Sequence, residues 1–123
     1  MPRPKIILFH ANYCGHCKDL LAQAWPDVEK EYGETYEIVK VEISTKDRNY
    51  ELYESLMGDG VPQIVILDSE GGLVGLPIVG YANSDDLMTK IKAKIEAADR
   101  AALASSMLNY NAAMARYFDA SNY

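Results

Sequence analysis

Cysteine is scarce in this 123-residue chain: there are two, Cys14 and Cys17, and beside them only two histidines, His10 and His16. One tight pair is not the disulfide framework of a small secreted domain. A zinc site normally takes about four ligands in tetrahedral array. Only His10 and His16 could supplement the two cysteines, and His16 sits inside the pair. A purely structural disulfide would close a very small loop, which the chain-entropy view credits with little stabilisation. Basic residues are also few, 12 Lys and Arg against 18 Asp and Glu, for a formal charge of −6. That balance disfavours a nucleic-acid or anionic-membrane surface. No apolar run approaches the roughly 20 residues of a membrane span. The segment Met1-Pro2-Arg3-Pro4-Lys5 shows no small-residue cleavage site, so no signal peptide is expected. The expected compartment is a reducing one, the cytoplasm.

What is present is a globular composition, 49% apolar and 24% charged, enough for one domain with one substantial core. Residues 5 to 10 form an apolar run that reads as a buried strand. From Gly15 to Tyr32 the pattern is helical, with Leu20, Leu21, Ala24, Val28 and Tyr32 on one side and a kink or break expected at Pro26. Residues 36 to 43 alternate as a second strand. Asp47 to Met57 is a helix carrying Tyr50, Tyr53, Leu56 and Met57, ended by Gly58-Asp59-Gly60. Val61 to Leu67 is a third strand, Asp68 to Gly72 a turn, and Leu73 to Val79 a fourth strand in which Pro77 suits an edge or bulge. Ser84 is the expected N-cap of a helix through Leu87, Ile91 and Ile95.

The order βαβαββα implies an α/β fold, a central four-stranded mixed sheet flanked by helices. Residues 1–100 are expected to form this domain, and residues 101–123 a C-terminal helical extension. In the extension Leu103, Met107, Tyr110, Met114 and Tyr117 recur at spacings of four and three, an amphipathic stripe. It reads first as a last helix folded back on the domain. The other reading is self-association or partner docking.

The chemistry sits in Cys14-Gly15-His16-Cys17, placed where the first strand hands over to a helix. A helix's first turn offers free N–H groups and partial positive charge, which stabilise a thiolate. Cys14 at that end would attack a substrate disulfide, and Cys17, one turn further in, would resolve the mixed disulfide.

The strand–Cys-Gly-His-Cys-Lys–helix, followed by Val61-Pro62 opening a later strand, resembles the thioredoxin superfamily over roughly residues 5 to 99. The resemblance implies a thioredoxin-like fold and a cis Pro62 facing the cysteine pair. Val61 would then offer its backbone to an extended substrate peptide, with Tyr13 as a wall of the groove. Cys-Gly-His-Cys is similar to the active site of protein disulfide isomerases. In that position His16 would favour the Cys14 thiolate and make the disulfide more oxidising; isomerase stands about 90 mV above thioredoxin. The chain departs from the family where a buried acid usually stands six residues before the first cysteine: here it is Leu8. Lys40 matches the lysine that often partners that acid and is the candidate for proton transfer to and from Cys17. The helix proline is displaced as well, Ala22 standing at the expected position and Pro26 one turn later.

A second similarity is to glutaredoxins, through Val61-Pro62-Gln63-Ile64 and the segment Gly80 to Leu87. There a helix N-terminus with Ser84 and free N–H groups would hold a glutathione carboxylate. Three functions follow: a thiol–disulfide oxidoreductase of protein disulfides, a glutathione-dependent oxidoreductase, or an interaction module using the C-terminal helix. The first implies protein-disulfide substrates and a reductase or glutathione for recycling. It calls for no metal or bound organic cofactor.

Overall fold

The computed structural model describes the backbone of residues 3–121 and the side chains of residues 3–104. Strand β1 (Lys5–His10) leads into α1 (Gly15–Asp19), a π-helical turn (Leu20–Ala24) and α2 (Trp25–Tyr32). Then follow β2 (Glu37–Glu42), α3 (Arg48–Ser55), β3 (Gln63–Leu67), β4 (Ile78–Val79) and α4 (Ser84–Ser121). The sheet order is β2-β1-β3-β4. β1 pairs with β2 in parallel and with β3 antiparallel, and β4 closes the edge antiparallel to β3. This is the four-stranded mixed sheet of a thioredoxin-like fold.

Alternation along β1 and β3 sends side chains into two separate cores, because successive residues face opposite sides of a sheet. Ile6, Leu8, Ile64 and Ile66 pack on one face against Leu20, Ala24, Trp25 and Val28, and against Leu87 and Ile91 of α4. Ile7, Phe9 and Val65 pack on the other with Val41, Tyr53 of α3 and the two cysteines. Burying each large apolar side chain contributes about 1.5–3 kcal/mol. β1 and β3 are therefore the most firmly held elements, and β1 is the one that delivers Cys14.

Pro26 falls at the second position of α2, where its missing N–H matters little. The break expected there takes the form of the π turn, in which the Trp25 N–H donates to the Leu20 carbonyl. One extra residue in the turn absorbs the proline without interrupting the apolar face.

Three expectations need correction. The fourth strand is two residues long, not seven. Val74 N–H bonds the Ile66 carbonyl at 2.8 Å and Leu73 bridges Leu67, but the register then slips before Ile78 pairs with Ile64. Gly75, at φ 71°, and Pro77 lie in the extra length, a bulge that takes the chain off the ladder. The helix before Val61 ends at Ser55 with Leu56 as its C-cap, not at Met57, which lies beyond it in the left-handed region, φ 64°, with its side chain exposed. The N-cap of α4 is Asn83, whose Oδ1 accepts the Asp86 N–H at 2.9 Å and whose carbonyl accepts the Leu87 N–H at 3.0 Å. Ser84 is the first helical residue, and its hydroxyl donates to the Asp27 carboxylate of α2.

The C-terminal segment differs too. α4 is one uninterrupted helix of 38 residues, about 57 Å at 1.5 Å per residue. The boundary expected at residue 100 lies within this helix, whose residues Ile95, Ala98 and Ala102 border a depression against Tyr36 and Val74. Leu103 is 62% exposed. The rest of the expected stripe, Met107 to Tyr117, lies outside the described side chains.

Candidate active site

Cys14 is the N-cap of α1, with φ −102° and ψ 107°, and its Sγ accepts the Cys17 N–H at 3.1 Å. The sulfur thus occupies the place a serine or aspartate oxygen takes at an ordinary helix start. The free N–H groups of that first turn and the positive end of the helix favour negative charge on this sulfur. Cys14 and Cys17 form a disulfide with Cα atoms 5.2 Å apart. The two sulfurs differ in access: Cys14 is 9% exposed and Cys17 1%.

Opposite the pair, the Val61–Pro62 peptide is cis, as the resemblance implied. The Val61 carbonyl oxygen lies 3.7 Å from Cys14 Sγ. In the dithiol form the same approach suits an S–H donating to the carbonyl, a weak bond that gives way when the thiol ionises. His16, Val61 and Pro62 line one depression of about 220 Å³ with Val79, Gly80 and Tyr81. Tyr13, next to Cys14, is 71% exposed and stands at the rim. The structure therefore gathers Tyr13, Cys14, His16, Cys17, Val61 and Pro62 at one end of the sheet. Val79 and Tyr81 were not singled out from the sequence; β4 ends there, and only its pairing with Gln63 brings them beside Pro62.

Lys40 is placed apart. It is exposed on the edge strand β2, in register with Leu8, which is fully buried. The burial that the family's acid–lysine pair uses to move a proton is absent at Lys40. Leu8 turns the acid's place into core.

His10 closes β1, half-buried, and is a packing residue. Burial holds its imidazole below the ordinary value of 6.5; Glu42 opposes this and Lys40 adds to it. In the unfolded chain the ring protonates at the ordinary value, so on acidification the unfolded state takes up the proton first. This stability is fully present above about pH 6.5 and is lost as pH falls toward the folded-state value. Denaturant midpoints should therefore drop between pH 7 and 5.5, and drop less in His10→Gln; an equal drop in both would rule out His10 as the cause.

Several polar groups near the start of α4, where a glutathione carboxylate was expected, are already engaged. The Ala82 N–H donates to Asp86 at 2.7 Å, the Asp86 N–H to Asn83, and the Ser84 hydroxyl to Asp27. The depression of about 250 Å³ beside His16 and Ser84 is lined by Ala82, Asn83 and Ser84 and by the carboxylate of Asp19. Among the described residues no cluster of His, Cys, Asp and Glu is arranged to hold a metal.

The fold and the pair together define a class. The family described as the thioredoxin-like domain matches residues 2–95, and the chain belongs to it. Among solved structures it is similar to a DsbH oxidoreductase, at 18% identity and TM-score 0.64, over 77% of this chain and 74% of that one. It is also similar to the C-terminal domain of DsbD from Neisseria meningitidis in its oxidised form, at 19% identity and TM-score 0.62, over 75% and 80%. A thioredoxin from Thermus thermophilus aligns at 20% identity and TM-score 0.62, over 74% and 72%. Likeness at these identities establishes the fold. Among curated protein sequences, no match is found.

Proposed function

We propose that the chain is a thiol–disulfide oxidoreductase acting on protein disulfides through Cys14 and Cys17. The observation that carries the reading is the asymmetry of the pair: the helix-capping sulfur is the one an incoming substrate can reach, and the buried sulfur lies one turn behind it. In the reductive direction the Cys14 thiolate attacks a substrate disulfide, forming a mixed disulfide and expelling one substrate thiolate, which takes up a proton. Cys17 then loses its proton and attacks Cys14 Sγ. The Cys14–Cys17 disulfide forms and the second substrate thiolate leaves. Two electrons pass to the substrate, and the reverse sequence oxidises a dithiol.

Polypeptide substrates are favoured by the surroundings. The Val61 backbone faces the sulfur, and the large apolar side chains Tyr13, Met57, Leu76 and Val79 are exposed. His16 at the groove supports the Cys14 thiolate when it carries its proton. Lys40, exposed on β2, leaves proton transfer at Cys17 to water or a substrate group, so resolution is expected to be slower than in a full isomerase. The reading calls for no resident cofactor, since the cysteine pair holds the electrons. It suits a reducing compartment with a reductase or glutathione as recycling donor.

The test is turnover of insulin disulfides by the dithiothreitol-reduced protein. Precipitation of the insulin B chain well ahead of dithiothreitol alone is the expected result. No acceleration, or turnover confined to glutathione mixed disulfides, overturns the reading.

A further inference from the structure

We propose that Tyr53 is a positioning residue for the redox site, clamping Gly60 through both of its backbone groups and so fixing the Val61–Pro62 loop against Cys14. The inference rests on the thiol–disulfide reading above, for which that loop is the substrate-facing wall.

Tyr53 projects from α3 into the second core and is 7% exposed. Its hydroxyl accepts the Gly60 N–H and donates to the Gly60 carbonyl at 3.0 Å, so one oxygen satisfies both polar groups of a single residue. The ring meets Phe9 edge-on, centroids 5.4 Å apart. Phe9 lies on β1, five residues before Cys14. One side chain therefore packs by its ring on the strand that delivers the cysteines, and binds by its hydroxyl the loop that delivers Val61.

Other features of the loop agree. The side-chain hydrogen bonds of residues 58–62 go to Tyr53 and to Gln63, and the Val61 carbonyl faces Cys14 Sγ at 3.7 Å. Gln63, fully buried beside Pro62, accepts the Asp59 N–H at 3.1 Å. No bond among the described turns, loops and caps joins this loop to another backbone segment. Gly58 is required by the ring: a Cβ there would lie 2.5 Å from Tyr53 Cε2. Gly60 has φ +151°, a conformation L side chains rarely adopt. Gly58 and Gly60 thus make room for Tyr53 and for the turn it holds, and the next carbonyl, that of Val61, stands 3.7 Å from Cys14 Sγ.

Tyr53→Phe in the full chain keeps the ring and removes both bonds. Leaving a part-buried N–H and C=O unpaired should loosen the loop locally. The Gly60 amide should be protected from hydrogen exchange in the parent and should exchange about tenfold faster or more in Tyr53→Phe. The KM for insulin should rise about five- to tenfold with kcat unchanged, because the loop binds the polypeptide while the sulfurs do the chemistry. The rate with a small aromatic disulfide, which needs only Cys14 Sγ, should stay at the parent value. Gly58→Ala, by displacing the ring, should raise KM in the same way. An unprotected Gly60 amide in the parent, or an unchanged exchange rate in Tyr53→Phe, overturns the clamp. So does an unchanged KM, or a parallel fall in the insulin and small-disulfide rates. A parent protein with no insulin activity would remove the function proposed above, while exchange at Gly60 still decides whether the clamp exists.

Discussion

Cys14→Ser should lose disulfide turnover altogether, a fall on the order of a thousandfold or more, while Cys17→Ser should stall after one step as a stable mixed disulfide. The two variants differ because the sulfurs differ in place, not in kind. Cys14 Sγ caps the helix, receives the Cys17 N–H at 3.1 Å and is the more exposed of the two. Cys17 is 1% exposed within the second core, beyond the reach of a protein substrate. With Cys14 gone, the remaining thiol is shielded and lies inside the helix's first turn. With Cys17 gone, the nucleophile is intact and nothing resolves its product. Mass spectrometry of each variant after incubation with an oxidised protein substrate reads the outcome. A covalent adduct should form with Cys17→Ser and not with Cys14→Ser. Adducts on Cys17 in Cys14→Ser, formed as fast as on Cys14 in Cys17→Ser, would reverse the roles.

Most of the sheet was legible because its signal is local. Apolar runs and alternations at residues 5–10, 36–43 and 61–67 place β1, β2 and β3 within two residues of where they lie. The pair at residues 14 and 17 and Pro62 after a glycine-containing loop were equally local. What escaped depends on contacts far apart in the chain or on backbone choices between neighbours. Leu73 to Val79 is apolar enough for a strand, but Gly75 and Pro77 take the chain out of register, so pairing resumes only at Ile78. Asn83 and Ser84 are both competent caps, and only the observed helix start separates them. The bonds between Tyr53 and Gly60 join an α3 side chain to a turn whose shape no spacing rule describes. The continuity of α4, by contrast, could have been read. No glycine or proline occurs from Tyr81 to Tyr123, so nothing in the sequence supplies a break at residue 100.

Leu8→Asp should cost about 3 kcal/mol or more of stability at pH 8, and markedly less at pH 5. Leu8 is fully buried, packed in the core that holds Leu20, Ala24 and Ile64. An aspartate there removes apolar contact and places a carboxyl where the surroundings are hydrocarbon. Its neighbour across the β1–β2 ladder, Lys40, is exposed, so the ion pair that could offset the cost would have to form by drawing a solvated ammonium inward. Burial raises the folded-state pKa of such a carboxyl above its unfolded value of about 3.9, so the unfolded chain gives up the proton first as pH rises. Stability is therefore lost as pH climbs from the unfolded value through the folded one, the opposite of a salt-bridged aspartate. The same substitution puts an acid at the family's sequence position, but on the face of β1 opposite the core that holds Cys17. The mixed disulfide should accordingly be resolved at the parent rate in single-turnover reactions, even as the protein becomes easier to unfold. Urea unfolding at the two pH values tests the first half. A Leu8→Asp protein within about 1 kcal/mol of the parent at pH 8 would mean that water or Lys40 already reaches this position. The second half is then the sharper measurement: faster resolution in a folded Leu8→Asp protein would show that the Cys17 proton passes residue 8 despite the sheet between them.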